Sequence, residues 1–291
     1  MFFVLQEGIF VLMNIQTKAS FKKELLAYFR TGTFVIVAAV IIGLSILSPL
    51  IITGMGALMD EMSDIYEEFG MDVSQLTDAL GSSSSIGVTS SVSDITGVGL
   101  IVFLIMINKA AGGEQKKRSV IIPRSSGLRN FGYLFPKFMI YPPSAFFLAV
   151  FGLLASWLVS SLVFEVNNVS IGNVLLAGAL SGVSLMFYVC MHLTLGTATG
   201  KAGMSAAVCI VGSLLLPGIF QLTTMEYMFN PFAINLLAAS VVPDTAISGQ
   251  RLIDIAITVV FALAIMVCTY FIALFAQNAR KIDNSGNEIE L

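Results

Sequence analysis

Six long apolar runs divide this chain of 291 residues, and they constrain its fold more than any other feature. A helix needs about 20 apolar residues to cross about 30 Å of hydrocarbon, and most of the runs reach that length. The sequence therefore predicts an all-α fold, a single transmembrane domain over 1–291 with six transmembrane helices. The expected spans are about 33–53, 95–110, 138–164, 171–197, 202–222 and 252–277.

The composition agrees with a membrane protein and excludes two other classes. A mean hydropathy of +0.90 with 56% hydrophobic residues fits neither an ordinary soluble domain nor a disordered chain. The longest stretch outside the runs, about 54–94, is too short for a separate catalytic domain. Cys190, Cys209 and Cys268 all fall inside the runs, so they are expected to be small packing residues rather than disulfide partners.

When the six apolar runs are taken as membrane spans, most basic and most acidic residues fall on opposite sides of the membrane. One side carries fourteen basic and six acidic residues, a net +8, and the other carries one basic and twelve acidic residues, a net −11. Cytoplasmic loops accumulate Lys and Arg, so both termini are predicted to be cytoplasmic, in a plasma (inner) membrane. The fourteen basic residues are Lys18, Lys22, Lys23, Arg30, Lys109, Lys116, Lys117, Arg118, Arg124, Arg129, Lys137, Lys201, Arg280 and Lys281.

The segment before the first span is predicted to be a basic amphipathic helix over residues 17–30. Phe21, Leu25 and Tyr28 share one stripe, while Lys23 and Arg30 project on the opposite side. Two interpretations are compatible: an anchor for the first span, and a helix that also touches a cytoplasmic partner. The twelve residues at the start of the chain are apolar but too short to span; they either lie along the interface or precede a start at Met13.

Two segments on the acidic side carry apolar residues of their own. In the first external loop, about 54–94, residues 55–69 have helical periodicity and predict an external amphipathic helix, followed by a flexible Gly and Ser return up to Ser93. Residues 229–243 are apolar but too short to cross, with Pro231 near the start and Pro243 at the end. They are expected to form a re-entrant or interfacial hairpin that is buried in protein or lines a cavity.

The predicted spans contain no Asp, Glu, Lys or Arg at central depth, where ion-coupled carriers usually place such groups. Arg251 and Asp254, at the outer end of span six, are expected to pair with each other. His192 is the one histidine and is expected to be a hydrogen-bonded packing residue. Catalytic and metal-binding motifs are absent, so the chain is not expected to be an enzyme, and any uphill transport would draw energy from a partner.

The loop between spans two and three, residues 109–137, has seven basic residues and one acidic residue. A short helix from Glu114 would present Lys116, Lys117 and Arg118, and Pro123 would end it. Its simplest interpretation is a large positive-inside loop that attracts anionic lipid.

This loop also resembles that of the membrane subunits of type-2 ABC exporters, which carry an acidic residue, a small polar pair, a Pro followed by Ser and Arg, and a Lys entering span three. The matching positions are Glu114, Arg118 with Ser119, Pro123, Ser125 or Ser126, Arg129 and Lys137. The N-terminal helix is similar to the elbow helix of that family, with Phe21, Lys22, Lys23, Leu25, Tyr28 and Arg30 as its residues. The six spans, the acidic external loop and the hairpin before span six also correspond.

The resemblance implies a permease subunit without its own ATPase. Its second loop would dock on a cytoplasmic ABC ATPase, which holds the ATP and magnesium, so no cofactor is expected on this chain. Other expected partners are membrane lipid and a second copy or sister permease, paired through spans one and five; no nucleic acid is expected. The apolar spans favour export of an amphipathic or hydrophobic substrate, such as a peptide, drug or lipid-like molecule. Two alternatives stay open: a secondary carrier or channel, and a non-transporting membrane sensor or scaffold.

Overall fold

A computed structural model of the protein describes residues 15–62, 84–114, 129–164, 168–222, 230–243, 248–279, 281–282 and 288–289. These residues are almost all helical. The elements are α1 (Ile15–Arg30), α2 (Thr33–Glu61), α3 (Ser84–Met106, with a π-helical stretch at Ile95–Gly99), a π turn (Lys109–Gly113), α4 (Asn130–Val163), α5 (Ile171–Thr199), α6 (Ala202–Leu222), a 3-10 turn (Pro231–Ala233) leading into α7 (Ile234–Val241), and α8 (Gly249–Ala279). Two antiparallel two-residue strands, β1 (Lys281–Ile282) and β2 (Glu288–Ile289), follow.

The all-α prediction with six spans is confirmed. Six of the helices (α2 to α6 and α8) are long and apolar enough to cross a membrane. Every backbone N–H and C=O group must be paired within hydrocarbon, and a helix pairs them within itself. The chain therefore has the architecture of a polytopic membrane protein.

The centre of the bundle is the antiparallel pair α4 and α5. These two helices share the most extensive contact in the fold; α1, α2 and α3 pack on α4, whereas α6, α7 and α8 pack on α5. Small residues permit the close approach, since a Cβ atom on Gly182 would lie 2.6 Å from the Phe146 ring. Helix α5 is consequently the most enclosed span, with 72% of its most apolar 18-residue stretch buried.

The outer faces of the peripheral helices are apolar. Leu50 and Ile51 on α2, Leu214 on α6, and Val260 and Phe271 on α8 are each between 43% and 65% exposed. A soluble monomer rarely exposes contiguous apolar surface of this extent, whereas lipid tails are a suitable neighbour for it. These faces agree with helices that contact hydrocarbon.

The predicted boundaries of spans one and two were wrong. Helix α2 continues without a break to Glu61, and α3 begins at Ser84 rather than near 95. The residues predicted as a flexible Gly and Ser return are thus helical from Ser84 onward. They are also packed, because Ser91 donates to the Ser45 carbonyl at 3.2 Å and lies 2.7 Å from the Ser156 hydroxyl. Of the predicted external amphipathic helix, residues 55–61 belong to α2, and 63–69 lie outside the described residues.

The segment before the last span, predicted as a re-entrant or interfacial hairpin over 229–243, contains a short apolar helix, Pro231–Val241; its re-entrant or interfacial placement stays a prediction. Its inner side is buried against α5, with Ile234 and Val241 both fully enclosed. The predicted ion pair between Arg251 and Asp254 was wrong. The Arg251 guanidinium instead donates to the Ser240 hydroxyl at 2.8 Å, which ties the start of α8 to α7, while Asp254 accepts from Gln250.

Candidate functional site

A buried ionic cluster lies where α1, the end of the π turn and the first third of α4 meet. We call it the Lys137 cluster, and it consists of Lys137, Glu114, Glu24, Tyr133 and Tyr141. The Lys137 side chain is 0% exposed, and its ammonium donates to Glu114 Oε2 at 2.7 Å, to the Ala110 carbonyl at 2.8 Å and to the Tyr133 hydroxyl at 3.0 Å. An ammonium has three N–H groups, so these three acceptors satisfy it completely.

Glu24 brings α1 into the cluster. Its carboxylate lies 4.0 Å from the Lys137 ammonium and accepts a hydrogen bond of 3.1 Å from the Tyr141 hydroxyl. Glu24 is only 5% exposed, although exposed lysines, Lys22 and Lys23, directly precede it. A buried carboxylate is stable only when it is paired and hydrogen-bonded, so these contacts hold α1 against α4.

Glu114 joins the base of the second loop to the same lysine. Its carboxylate also accepts from the Tyr133 hydroxyl at 3.2 Å and lies 3.5 Å from the ammonium of Lys23, which is 58% exposed. Burial acts to raise the Glu114 pKa, but the charge and hydrogen bond of Lys137, with help from Lys23 and Tyr133, outweigh it and hold the pKa below its ordinary value. Glu114 is therefore ionised at neutral pH.

Tyr28 adds a second attachment between α1 and α4. Its ring is 2% exposed and packs edge-on against Tyr141, with the ring centroids 5.1 Å apart. The Ser144 hydroxyl donates to the Tyr141 carbonyl, so the Tyr28 hydroxyl donates to Ser144, at 2.9 Å. Burial raises the Tyr28 pKa to about 12, against a smaller opposing effect of the hydrogen bond to Ser144, so this hydroxyl stays protonated at neutral pH.

The end of the π turn is fixed on its other side by α5. Gly112 and Gly196 are in such close contact that a Cβ atom on Gly112 would lie 2.5 Å from the Gly196 carbonyl oxygen, and one on Gly196 would collide with the Ala111 carbonyl. Gly196 is therefore a close-packing residue, with the backbone of Ala111 and Gly112 as its partner. Gly200 has a different role, ending α5 in the left-handed conformation.

The C-terminal end of α8 lies at the same end of the bundle. The buried Gln277 amide donates to the Thr197 carbonyl of α5 at 2.6 Å, and the Asn130 amide at the start of α4 donates to the Gln277 carbonyl at 3.1 Å. Contacts between α1, the π turn, α4, α5 and α8 are therefore concentrated in one layer at the end of the spans. Glu114 and Arg129, the described residues on either side of the second loop, belong to this layer.

The structure brings some of the predicted site residues together. Glu114 and Lys137, at opposite ends of the loop, form the centre of the cluster, whereas Arg129 is exposed at the start of α4. The remaining loop residues, Lys116, Lys117, Arg118, Ser119 and Pro123, lie outside the described residues, and so does the short helix predicted there.

The stripe predicted on the N-terminal helix is confirmed as its packed face. Tyr28 is buried, Phe21 and Leu25 are partly buried against the core, and Lys22, Lys23 and Arg30 are exposed. This face contacts α4, and its position at a membrane surface stays a prediction. Glu24 was missed, although it lies three residues after Phe21 and four before Tyr28, on the same helical face.

His192 is hydrogen-bonded, as expected of a packing residue. Its Nδ1 atom lies 2.9 Å from the Ser205 hydroxyl, which donates in turn to the His192 carbonyl at 2.8 Å. In the part of the chain that the structure describes, three or more His, Cys, Asp or Glu side chains do not converge in a geometry that could hold a metal ion.

No model of a protein family matches the chain, and no curated protein is significantly similar to it.

Proposed function

We propose that this chain is the membrane subunit of an ATP-driven exporter of the type-2 ABC class, which moves an amphipathic or hydrophobic substrate out of the cell. The proposal rests on the order of its sequence features: a basic N-terminal helix, six spans, a basic second loop and an apolar hairpin before the last span. ATP hydrolysis takes place on a separate cytoplasmic subunit in this scheme. A second copy or a sister permease completes the translocation path.

The observation that carries the proposal is the placement of the Lys137 cluster at the base of the second loop. Glu114 precedes the second loop's central residues and Arg129 follows them, and Lys137 of α4 binds Glu114. Through Glu24, the same lysine connects to α1. A displacement of the loop by a docked ATPase therefore acts on α4 and α1 together. Coupling by rigid movement of helices requires such a connection.

The docking surface in this proposal is the loop itself. Lys116, Lys117 and Arg118 supply three consecutive positive charges, which orient the loop against acidic groups on the ATPase. The test is to reverse all three to Glu, isolate the tagged chain from membranes of its own host and measure the co-purified ABC ATPase and its ATP turnover. We expect both to fall at least tenfold.

A matched control reverses three other cations predicted to lie on the same side: Lys201, Arg280 and Lys281. It changes the net charge equally and leaves the loop intact, so ATPase binding should persist. Equal ATPase recovery with both triple variants would refute docking through the loop.

The Lys137 cluster also supports a second candidate, a proton-coupled secondary carrier, because Glu24 and Glu114 are buried ionisable groups beside a span. This candidate requires uptake or efflux driven by a pH gradient in vesicles that contain no ATPase. It also requires that E114Q abolish the transport. The exporter proposal expects no transport in those vesicles.

A further inference from the structure

An open cleft lies on the surface beside the Lys137 cluster, between the end of α1, the turn into α2 and the end of α3. Its lining includes Lys23, Thr33, Met106, Lys109 and Glu114. The ion pairs described above involve Lys23, Glu24 and Glu114 of this lining. Lys109 has no role in the proposed coupling.

The position of the cleft along the spans matches the headgroup layer of a bilayer. The apolar stretch of α2 begins at Thr33, and that of α3 ends at Met106; both residues line the cleft. Val35 and Ile36 on α2 and Ile105 on α3 lie one turn or less inward from these ends, and they are 62%, 46% and 52% exposed. A lipid whose headgroup occupied the cleft would place its acyl chains along these side chains.

The charges around the cleft favour an anion. Two lysines (Lys23 and Lys109) and two glutamates (Glu24 and Glu114) line the cleft. Lys137, which is buried and pairs with both glutamates, adds a third positive charge, so the group as a whole has an excess of one positive charge. Lys137 pairs with Glu24 and Glu114, and Lys23 pairs with Glu114. Lys109, in contrast, is exposed and forms no ion pair with a carboxylate among the described residues. The single negative charge of a phosphodiester would neutralise this excess.

The start of α2 adds a second feature that suits the same group. Its first turn begins at Thr33, and the first N–H groups of a helix have no acceptor within the helix. Ile36, at the end of that turn, already donates to the Gly32 carbonyl, so the N–H groups without an acceptor inside the helix are those nearer its start, at Thr33, which lines the cleft. The partial positive charge of a helix N-terminus favours a phosphate.

We propose that this cleft binds the phosphodiester of an anionic phospholipid, with Lys109 as the main cationic contact and the lipid acyl chains against α2 and α3. The choline group of a zwitterionic lipid would bring its own positive charge toward Lys23 and Lys109. A lipid with an uncharged headgroup alcohol such as glycerol, whose net charge is that of its phosphodiester, is therefore preferred. This inference requires only that the helices span a membrane, and it is independent of the exporter proposal.

The test is native mass spectrometry of the full chain released from nanodiscs that contain equal amounts of phosphatidylglycerol and phosphatidylcholine. We expect the wild type to retain phosphatidylglycerol preferentially. K109Q should reduce its retention about fivefold, the equivalent of about 1 kcal/mol for one lysine near an anionic surface. K109R should retain it like the wild type, because the charge is kept.

K22Q is the matched control, since Lys22 is exposed on α1 but does not line the cleft. It should retain phosphatidylglycerol like the wild type. Equal retention by K109Q and K22Q, or no preference of the wild type for phosphatidylglycerol, would overturn the proposal. Displacement of the lipid by millimolar inorganic phosphate would also overturn it, because the site would then be one for a soluble phosphate.

Discussion

The ammonium of Lys137 and the carboxylate of Glu114 lie 2.7 Å apart, although the two residues stand at opposite ends of the loop between α3 and α4. Both are buried, and Lys137 also contacts Glu24 of α1 at 4.0 Å. One lysine thus connects three chain segments that are far apart in sequence. The stability of this layer and the proposed transmission of loop movement both depend on it.

Removing the Lys137 ammonium should lower the free energy of unfolding substantially. K137M leaves Glu24 and Glu114 buried without their main countercharge, and breaking a buried pair by removing one partner costs about 3–5 kcal/mol. Thermal unfolding of the detergent-solubilised protein measures this loss. K23M is a matched control, because Lys23 contacts the same carboxylate from an exposed position, where an ion pair contributes at most about 1 kcal/mol. Similar losses for the two variants would contradict the account.

Glu114 and Lys137 should behave as one energetic unit. We expect a double-mutant cycle with E114Q and K137Q to give a coupling energy of about 1–3 kcal/mol, because residues in direct contact are not additive. The free energies of unfolding of the wild type, both single variants and the double variant measure it. As a distant control, E114Q combined with S205A should be additive. A Glu114–Lys137 coupling close to zero would show that the contact does not form.

Acid should weaken the fold through Glu114. Its pKa in the folded chain lies below its ordinary value of 4.5, so the ionised form contributes stability in full above that pH. The contribution is lost as the pH falls through the folded pKa, when Glu114 takes up a proton. Unfolding temperatures measured from pH 7 down to pH 3 should therefore fall more steeply for the wild type than for E114Q below pH 4.5. Parallel curves would mean that Glu114 is not held in its charged form.

The contact of the π turn with α5 should tolerate no added methyl group. G196A forces a Cβ atom into the Ala111 carbonyl, so backbone must move, at a cost of about 1–3 kcal/mol. G43A is the control, since a Cβ atom at Gly43 in α2 meets nothing within 4 Å. It should be neutral or slightly stabilising, because Ala is the better helix former. Thermal unfolding distinguishes the two variants. Equal unfolding temperatures for G196A and G43A would show that the π turn and α5 are not in close contact.

The sequence predicted the six spans because length and hydropathy decide what can cross hydrocarbon. It misplaced the start of α3, because a run of Ser and Gly in a soluble protein favours a loop. In this bundle the same residues permit close packing, as at Gly87, where a Cβ atom would lie 2.9 Å from Pro49, Ser160 and Phe164. Tertiary contact therefore overrode local propensity.

The candidate site was predictable only in part. Glu114 and Lys137 were selected by their resemblance to a family pattern, which gave their positions but not that they contact each other. The spacing of Glu24 puts it on the same face of α1 as Phe21 and Tyr28, but that spacing does not indicate burial, because an acidic residue within a basic amphipathic helix is usually solvated. Its burial follows from the packing of α1 on α4, which periodicity does not reveal.

Labelling of single cysteines in intact cells tests the central claim most directly, since the second loop must face the cytosol to meet an ATPase. In a background where Cys190, Cys209 and Cys268 are replaced by Ala, a cysteine is introduced at Val120 or at Gln75 and exposed to a membrane-impermeant maleimide. We expect labelling at position 75 in intact cells, and at position 120 only after the membrane is opened. Labelling of position 120 in intact cells, or protection of position 75, would contradict the claim.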